Sequence, residues 1–204
     1  MDIFTKTGDK GTTGTAGGLR VSKAAPIIEM SGAFDEAITR IGAAVVKGDR
    51  VLSGGWAEPE GSVEAAIQET LIWLQHRLFT AAACATSPTA TEAPISAADA
   101  EIAERLIRSF EAGLEPFKEF TLPGSSEFVI RLHLARTAVR EAERALTAVA
   151  DAGEAVSPDV RIFVNRASDL LYVMARAAAA AFKKPALSWD HNPAAPAGYA
   201  QSEG

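Results

Sequence analysis

Residues 128–149 read FVIRLHLARTAVREAERALTAV, and the spacing of their apolar side chains decides the fold. Phe128, Leu132, Ala135, Val139, Ala142, Leu146 and Val149 recur at alternating steps of four and three. That is the period of a helix burying one seam. His133, Arg136, Arg140 and Glu143 repeat the spacing one residue further on, with Arg144 a turn beyond Arg140. This second series lies about a quarter-turn from the seam and borders the core.

Residues 158–178 repeat the arrangement. Val160, Val164, Ala167, Leu171, Met174 and Ala178 form a seam, and Asn165, Asp169, Tyr172 and Arg176 form the polar series beside it. Working outward, Met30, Phe34, Ile38, Ile41 and Val45 predict a helix from about Pro26 to Lys47. A loop with Gly54, Gly55, Pro59 and Gly61 follows it. Val63, Ile67, Leu71, Leu74, Leu78, Ala81 and Ala85 predict a second helix from Ser62 to Thr86, closed by Pro88 and Pro94. Ser96 with Asp99 resembles an N-cap box, so a third helix runs from there to about Ala112, before Gly113. The fourth begins near Ser125 or Ser126 after Pro123-Gly124, and the fifth near Ser157, where Pro158 suits the first helical turn.

The expectation is an all-α five-helix bundle with short connections. Its parts are an N-terminal loop at 1–25, a helical bundle at 26–184 and a flexible C-terminal tail at 185–204 that orders only over a ligand. A chain of 204 residues, 48% hydrophobic and 7% aromatic, suits one alanine-rich helical core. A net charge of −6 excludes a general nucleic-acid surface, which needs clustered cations. Met1-Asp2-Ile3-Phe4-Thr5-Lys6 carries no apolar signal core, and the apolar run from Leu170 to Phe182 is interrupted by Arg176. A soluble, cytoplasmic protein without membrane contact is expected. Cys84 has no partner for an intrachain disulfide and reads as a small packed thiol among alanines.

The segment from Thr5 to Gly18 holds five glycines among many hydroxyls, and Lys6, Lys10, Arg20 and Lys23 add charge. Glycine lets backbone amides turn inward, and hydroxyls donate to phosphate oxygens, so the chemistry suits a polyphosphate. No Gly-Lys-Ser/Thr ending is present, so it is not a Walker loop. Spacing alone leaves a flexible terminus open for this loop, and structural ion pairs open for the polar stripes. A di-iron bundle is excluded, because none of His76, His133 or His191 follows a Glu by three residues. His76 and His191 read as structural or solvent-exposed, and His133 lies nearer the stripes.

Several blocks together carry a family resemblance. They are Thr5-Lys6-Thr7-Gly8-Asp9-Lys10-Gly11-Thr12-Thr13, Arg20-Val21-Ser22-Lys23, and Gly32 with Asp35-Glu36, followed by Phe120-Thr121-Leu122-Pro123-Gly124. His133-Leu134-Ala135-Arg136-Thr137 continues through Arg140, Ala142, Glu143 and Arg144, and Asn165-Arg166 with Ser168-Asp169-Leu170-Leu171 closes the series. In this order the chain resembles the ATP:cob(I)alamin (corrinoid) adenosyltransferases of the propanediol-utilisation type. The resemblance implies a five-helix bundle preceded by an ordered Gly/Thr-rich nucleotide-binding loop, assembled as a homotrimer with active sites between subunits. It implies that Thr5, Lys6, Gly8, Thr12, Thr13 and Lys23 hold the triphosphate of ATP, with Arg140, Glu143 and Asn165 completing the site. Mg²⁺ bridges phosphate oxygens, Asp35 pairs with Arg136, and Phe120 lies beneath the corrin ring of cobalamin. The implied reaction forms adenosylcobalamin through four-coordinate cob(II)alamin, with a flavin-dependent reductase and an adenosylcobalamin-dependent enzyme as partners. Glu141 stands where the family has a second arginine; Ser31, Ala37-Ile38, Ser125, Ala167 and Tyr172 are smaller departures. A non-catalytic carrier or sensor and a ligand-free structural bundle are the competing readings.

Overall fold

The periodic segments are helices in the computed structural model, which describes residues 4–15, 17–45, 62–87, 91–116 and 118–194. They are α1 (Pro26–Val45), α2 (Val63–Thr86), α3 (Ala97–Glu111), α4 (Glu127–Asp151) and α5 (Pro158–Ala181). Their starts follow local chemistry. Ser62 and Ser126 accept hydrogen bonds from the amides of Ala65 at 3.1 Å and Val129 at 3.2 Å, satisfying donors that the first turn leaves open. Pro158 opens α5 immediately after Ser157, where a missing amide hydrogen costs nothing. At the start of α3, the Ser96 amide donates to Asp99 Oδ2 at 2.9 Å, which is the returning half of a capping box with Asp in the acidic position. Gly153, with φ of 95°, follows the end of α4 in a left-handed conformation that glycine adopts without strain. The expected loop at Gly54, Gly55, Pro59 and Gly61 lies outside the described residues.

Helices α1, α2, α5 and α4 close a ring in which α1 packs on α2 and α4, and α5 packs on α4 and α2. α3 lies against α5 on the outside. The seams meet in the centre: Met30, Phe34, Ile41, Leu71, Leu74, Leu132, Leu146 and Leu171 are fully or almost fully buried. Each such side chain contributes about 1.5–3 kcal/mol by leaving water. Ile38 is only partly buried at the edge of the core, and Val63, placed on the α2 seam by its spacing, is 43% exposed because it is the first residue of its helix. Cys84 is buried. No described helix is long and apolar enough to cross a membrane.

Two short antiparallel strand pairs frame the bundle. β1 (Thr12–Gly14) pairs antiparallel with β2 (Arg20–Ser22) ahead of α1. β3 (Thr121–Leu122), just before α4, pairs antiparallel with β4 (Leu187–Ser188). β4 belongs to the segment expected to be flexible, and its pairing is extended by the Trp189 amide donating to the Phe120 carbonyl at 2.8 Å. Residues 195–204 lie outside the described ones.

Candidate functional site

Because α4 and α5 pack side by side, their polar stripes border a common cleft of about 410 Å³, lined by Phe120, His133, Arg136, Arg140, Asp169 and Tyr172 among others. Tyr172 sits between two cationic or polar neighbours. The Arg136 guanidinium lies 5.8 Å from its ring centre, and the His133 ring centre 6.3 Å away. Arg136 Nε and His133 Nδ1 are buried without a hydrogen-bond partner among the described residues. Such atoms are costly to leave unpaired, so both keep bonding capacity open beside the cleft. Burial, with help from the nearby Arg136 charge, lowers the His133 pKa, so the ring is neutral near pH 7. Burial raises the Asp169 pKa; Glu143 adds to the rise, and Arg166 and Arg140 offset it only in part.

Phe120 stands at the rim with 69% of its surface exposed. Its ring meets Trp189 edge-on at 6.4 Å, so the β3–β4 pairing sets a second aromatic ring beside the one that lines the cleft. On the other side of Thr121, His133 and Tyr172 lies a second cleft of about 390 Å³. Arg176 is held at its edge by donating to the Glu115 carbonyl at 2.6 Å.

One turn further along α4, Glu143 and Asn165 line a third cleft of about 350 Å³ with Thr147 and Arg161. Asn165 Nδ2 donates to Glu143 Oε1 at 2.9 Å, joining α4 to α5. Glu141 points elsewhere: it pairs with Arg144 within the helix, and both side chains are exposed.

The glycine-threonine loop is held together by hydrogen bonds of its own. Arg20 Nη2 donates to the carbonyls of Thr7 at 2.6 Å and Thr12 at 3.2 Å, and to the Thr12 hydroxyl at 2.7 Å. Arg20 therefore staples the loop from within. The Lys23 amide donates to the Gly11 carbonyl at 2.9 Å, which brings its side chain back over Gly8. A Cβ at Gly8 would lie 3.3 Å from Lys23 Nζ, so glycine lets the ammonium approach the backbone. Lys6 is held at φ of 56°, and the hydroxyls of Thr5 and Thr7 are 2.8 Å apart. Thr12 and Thr13 are half-buried on β1.

One chain thus brings Phe120, Arg136 and Arg140 to one cleft and Glu143 with Asn165 to the next. Thr5, Lys6, Gly8, Thr12, Thr13 and Lys23 stand apart: among the described residues the loop's hydrogen bonds stay within the loop and the start of α1. Asp35 is exposed on α1, and no ion pair among the described residues joins it to Arg136. Sequence reasoning passed over Trp189, which sits in an aperiodic tail, and Arg166, whose only signal was its place beside Asn165.

Known proteins resemble this chain in sequence and in fold. A model of the cobalamin adenosyltransferase family matches residues 3–178. The corrinoid adenosyltransferase PduO of Salmonella typhimurium is 36% identical over 178 residues, which are 87% of this chain and 49% of that protein, so the chain spans about half of it. A corrinoid adenosyltransferase of Mycobacterium bovis is 36% identical over 182 residues, covering 86% of this chain and 88% of that one. Among solved structures, a variant PduO-type ATP:corrinoid adenosyltransferase from Lactobacillus reuteri, complexed with cobalamin and ATP, aligns with a TM-score of 0.78 at 26% identity. That alignment covers 92% of this chain and 99% of the other.

Proposed function

The chain belongs to the cobalamin adenosyltransferase family, and from that premise we propose that it transfers the 5′-deoxyadenosyl group of ATP to cob(I)alamin in the cytoplasm, releasing triphosphate. The observation that carries the reading is the cleft between α4 and α5, where an apolar ring at the rim faces two arginines on one helix stripe. A corrin is a flat, largely apolar disc, and a triphosphate leaving group is a concentrated anion; this cleft and its neighbours offer a surface for each.

Co(I), supplied by an external reductant such as a flavin-dependent reductase, attacks C5′ of ATP. A Co–C bond forms, the C5′–O bond breaks, and the bonding pair leaves with triphosphate. No protein nucleophile is required. Arg140, with Lys6 and Lys23 from the loop, would stabilise charge gathering on the leaving group, and Glu143 with Asn165 would hold the nucleoside end for in-line attack. Thr5, Gly8, Thr12 and Thr13 would supply hydroxyl and amide donors to the phosphates. Mg²⁺ brought in with ATP would neutralise part of the triphosphate charge beside Arg140, Lys6 and Lys23. Phe120 offers no donor to cobalt; beneath the corrin it would favour loss of the lower axial ligand, and four-coordinate Co(II) is easier to reduce. The product would pass to an adenosylcobalamin-dependent enzyme.

Purified protein given chemically reduced cobalamin and Mg-ATP without oxygen should yield adenosylcobalamin and triphosphate, followed by absorbance. Binding of Mg-ATP without product would leave the non-catalytic carrier as the better reading. Arg140→Ala should weaken Mg-ATP binding at least about tenfold, the loss expected for one hydrogen bond to a charged group; unchanged affinity removes Arg140 from the phosphate site. Phe120→His should spare Mg-ATP binding and slow Co(II) reduction, and equal reduction rates would remove its role.

A further inference from the structure

Asn165 is held from both ends. Its Nδ2 donates to Glu143 Oε1 at 2.9 Å, and its Oδ1 accepts from Arg166 Nη1 at 2.8 Å. Arg166 in turn donates through Nε to Glu104 Oε1 at 2.9 Å, on α3. A guanidinium only donates and a carboxylate only accepts, so the two contacts demand the same orientation of the carboxamide between them. Rotating it by half a turn would set N–H against N–H at one end and oxygen against oxygen at the other. The chain of contacts runs from α3 through α5 to α4, and all its side chains are partly buried. It ends on a carboxylate whose second oxygen makes no hydrogen bond among the described residues. Arg166 also lines both the cleft of Glu143 and Asn165 and the neighbouring cleft of about 430 Å³ bordered by Glu104 and Arg108.

We infer that Arg166, anchored on Glu104, is a positioning residue that fixes the Asn165 carboxamide and, through it, the Glu143 carboxylate in the orientation that receives the nucleoside part of ATP. This rests on the proposed ATP site. It assigns α3, which contributes no residue to that site, the task of setting it in order before ligand arrives. Removing Arg166 would leave a carboxamide free to rotate, so that half of its orientations present the wrong atom to Glu143 and to the ligand. The expected signature is weaker nucleotide binding with little change in turnover once saturated, because the reacting centre is elsewhere.

The test compares the full-length protein with Arg166→Gln, Glu104→Gln, Asn165→Ala and the Arg166→Gln/Asn165→Ala pair. In ligand-free protein, the two protons of the Asn165 side-chain amide, identified by their loss in Asn165→Ala, should give separate, dispersed NMR signals. Both should shift toward the values of a freely rotating, solvent-exposed asparagine in Arg166→Gln and Glu104→Gln. KM for ATP should rise about tenfold in Arg166→Gln, with kcat within about twofold and KM for the corrinoid unchanged. In the Asn165→Ala background the same substitution should add almost nothing, since the group it positions is gone. Glu104→Gln is the milder variant and keeps the comparison open if Arg166→Gln folds poorly. An unshifted Asn165 amide in both variants overturns the positioning role. So does a full tenfold loss persisting in the Asn165→Ala background. If the amide shifts but Asn165→Ala binds Mg-ATP as tightly as the parent, Asn165 is no nucleotide ligand, and both its place in the ATP site and the purpose assigned to Arg166 fall.

Discussion

His133 lies one position off the α4 seam, half in the core and half on the cleft, and its chemistry follows from that place. Burial and the Arg136 charge hold its pKa below the ordinary 6.5. With a folded value below the unfolded one, its contribution to stability is complete above about pH 6.5 and is lost as pH falls to and through the depressed value, because over that range the unfolded chain takes up a proton that the folded protein resists. Ligand-free protein should therefore lose melting temperature as pH falls below about 6.5, and His133→Gln should lose less over the same interval. Identical slopes would show that the buried imidazole does not carry this linkage. Arg136 borders the same pocket, and its buried Nε has no hydrogen-bond partner among the described residues. Glu141 teaches the opposite lesson. The sequence marks it as the largest change of charge in the arginine helix, yet it spends that charge on Arg144 at the surface and lines none of the three clefts beside α4.

α3 shows how one element is fastened to the rest. Arg77 of α2 grips Asp99 with two hydrogen bonds, Nε to Oδ1 at 2.7 Å and Nη2 to Oδ2 at 2.9 Å, and Nη2 also donates to the Pro94 carbonyl at 3.2 Å. Burial alone would raise the Asp99 pKa, but Arg77 and the Ser96 bonds together hold it below its ordinary value. That contribution to stability is present above the carboxylate range and lost as pH falls through the lowered value. Asp99→Ala should cost about 3–5 kcal/mol in urea unfolding, since it strands a partly buried guanidinium; a cost below about 0.5 kcal/mol would mean the pair is no more than a surface contact. The cap formed by Ser96 and Asp99 was legible three residues apart, but the Arg77 grip was not, because it spans 22 residues with no pattern linking them. The same distinction runs through the fold. α2 and α4 could be read because seam and N-cap serine agree, and α5 because its seam agrees with Pro158 in the first turn. β3 and β4 could not, since two-residue strands have no period to read, and their pairing lies entirely in the tertiary structure.

For the whole molecule, the decisive fact is what one chain does not bring together. Arg136, Arg140, Glu143 and Asn165 gather on one face because α4 and α5 share a period and pack side by side, and these residues were legible as two stripes; Phe120 reaches the same cleft from the segment ahead of β3. The loop that carries Lys6, Gly8 and Lys23 bonds to itself, and Asp35 is left exposed on α1. No spacing rule speaks to contacts between separate copies, so only the family resemblance joined the two halves. A homotrimer in which the loop and Asp35 of one copy meet the arginine stripe of the next would complete the site and give Arg136 its missing partner. Complementation tests this without a structure of the assembly. Lys6→Ala damages only the loop half and Arg140→Ala only the stripe half, so each variant alone should be nearly inactive. Unfolding the two together and refolding them as a mixture should restore about a quarter of the sites, those where an intact loop meets an intact stripe from a neighbour. Sites built within a single chain can never draw one intact half from each variant, so a mixture as inactive as its parents would return the whole site to one subunit.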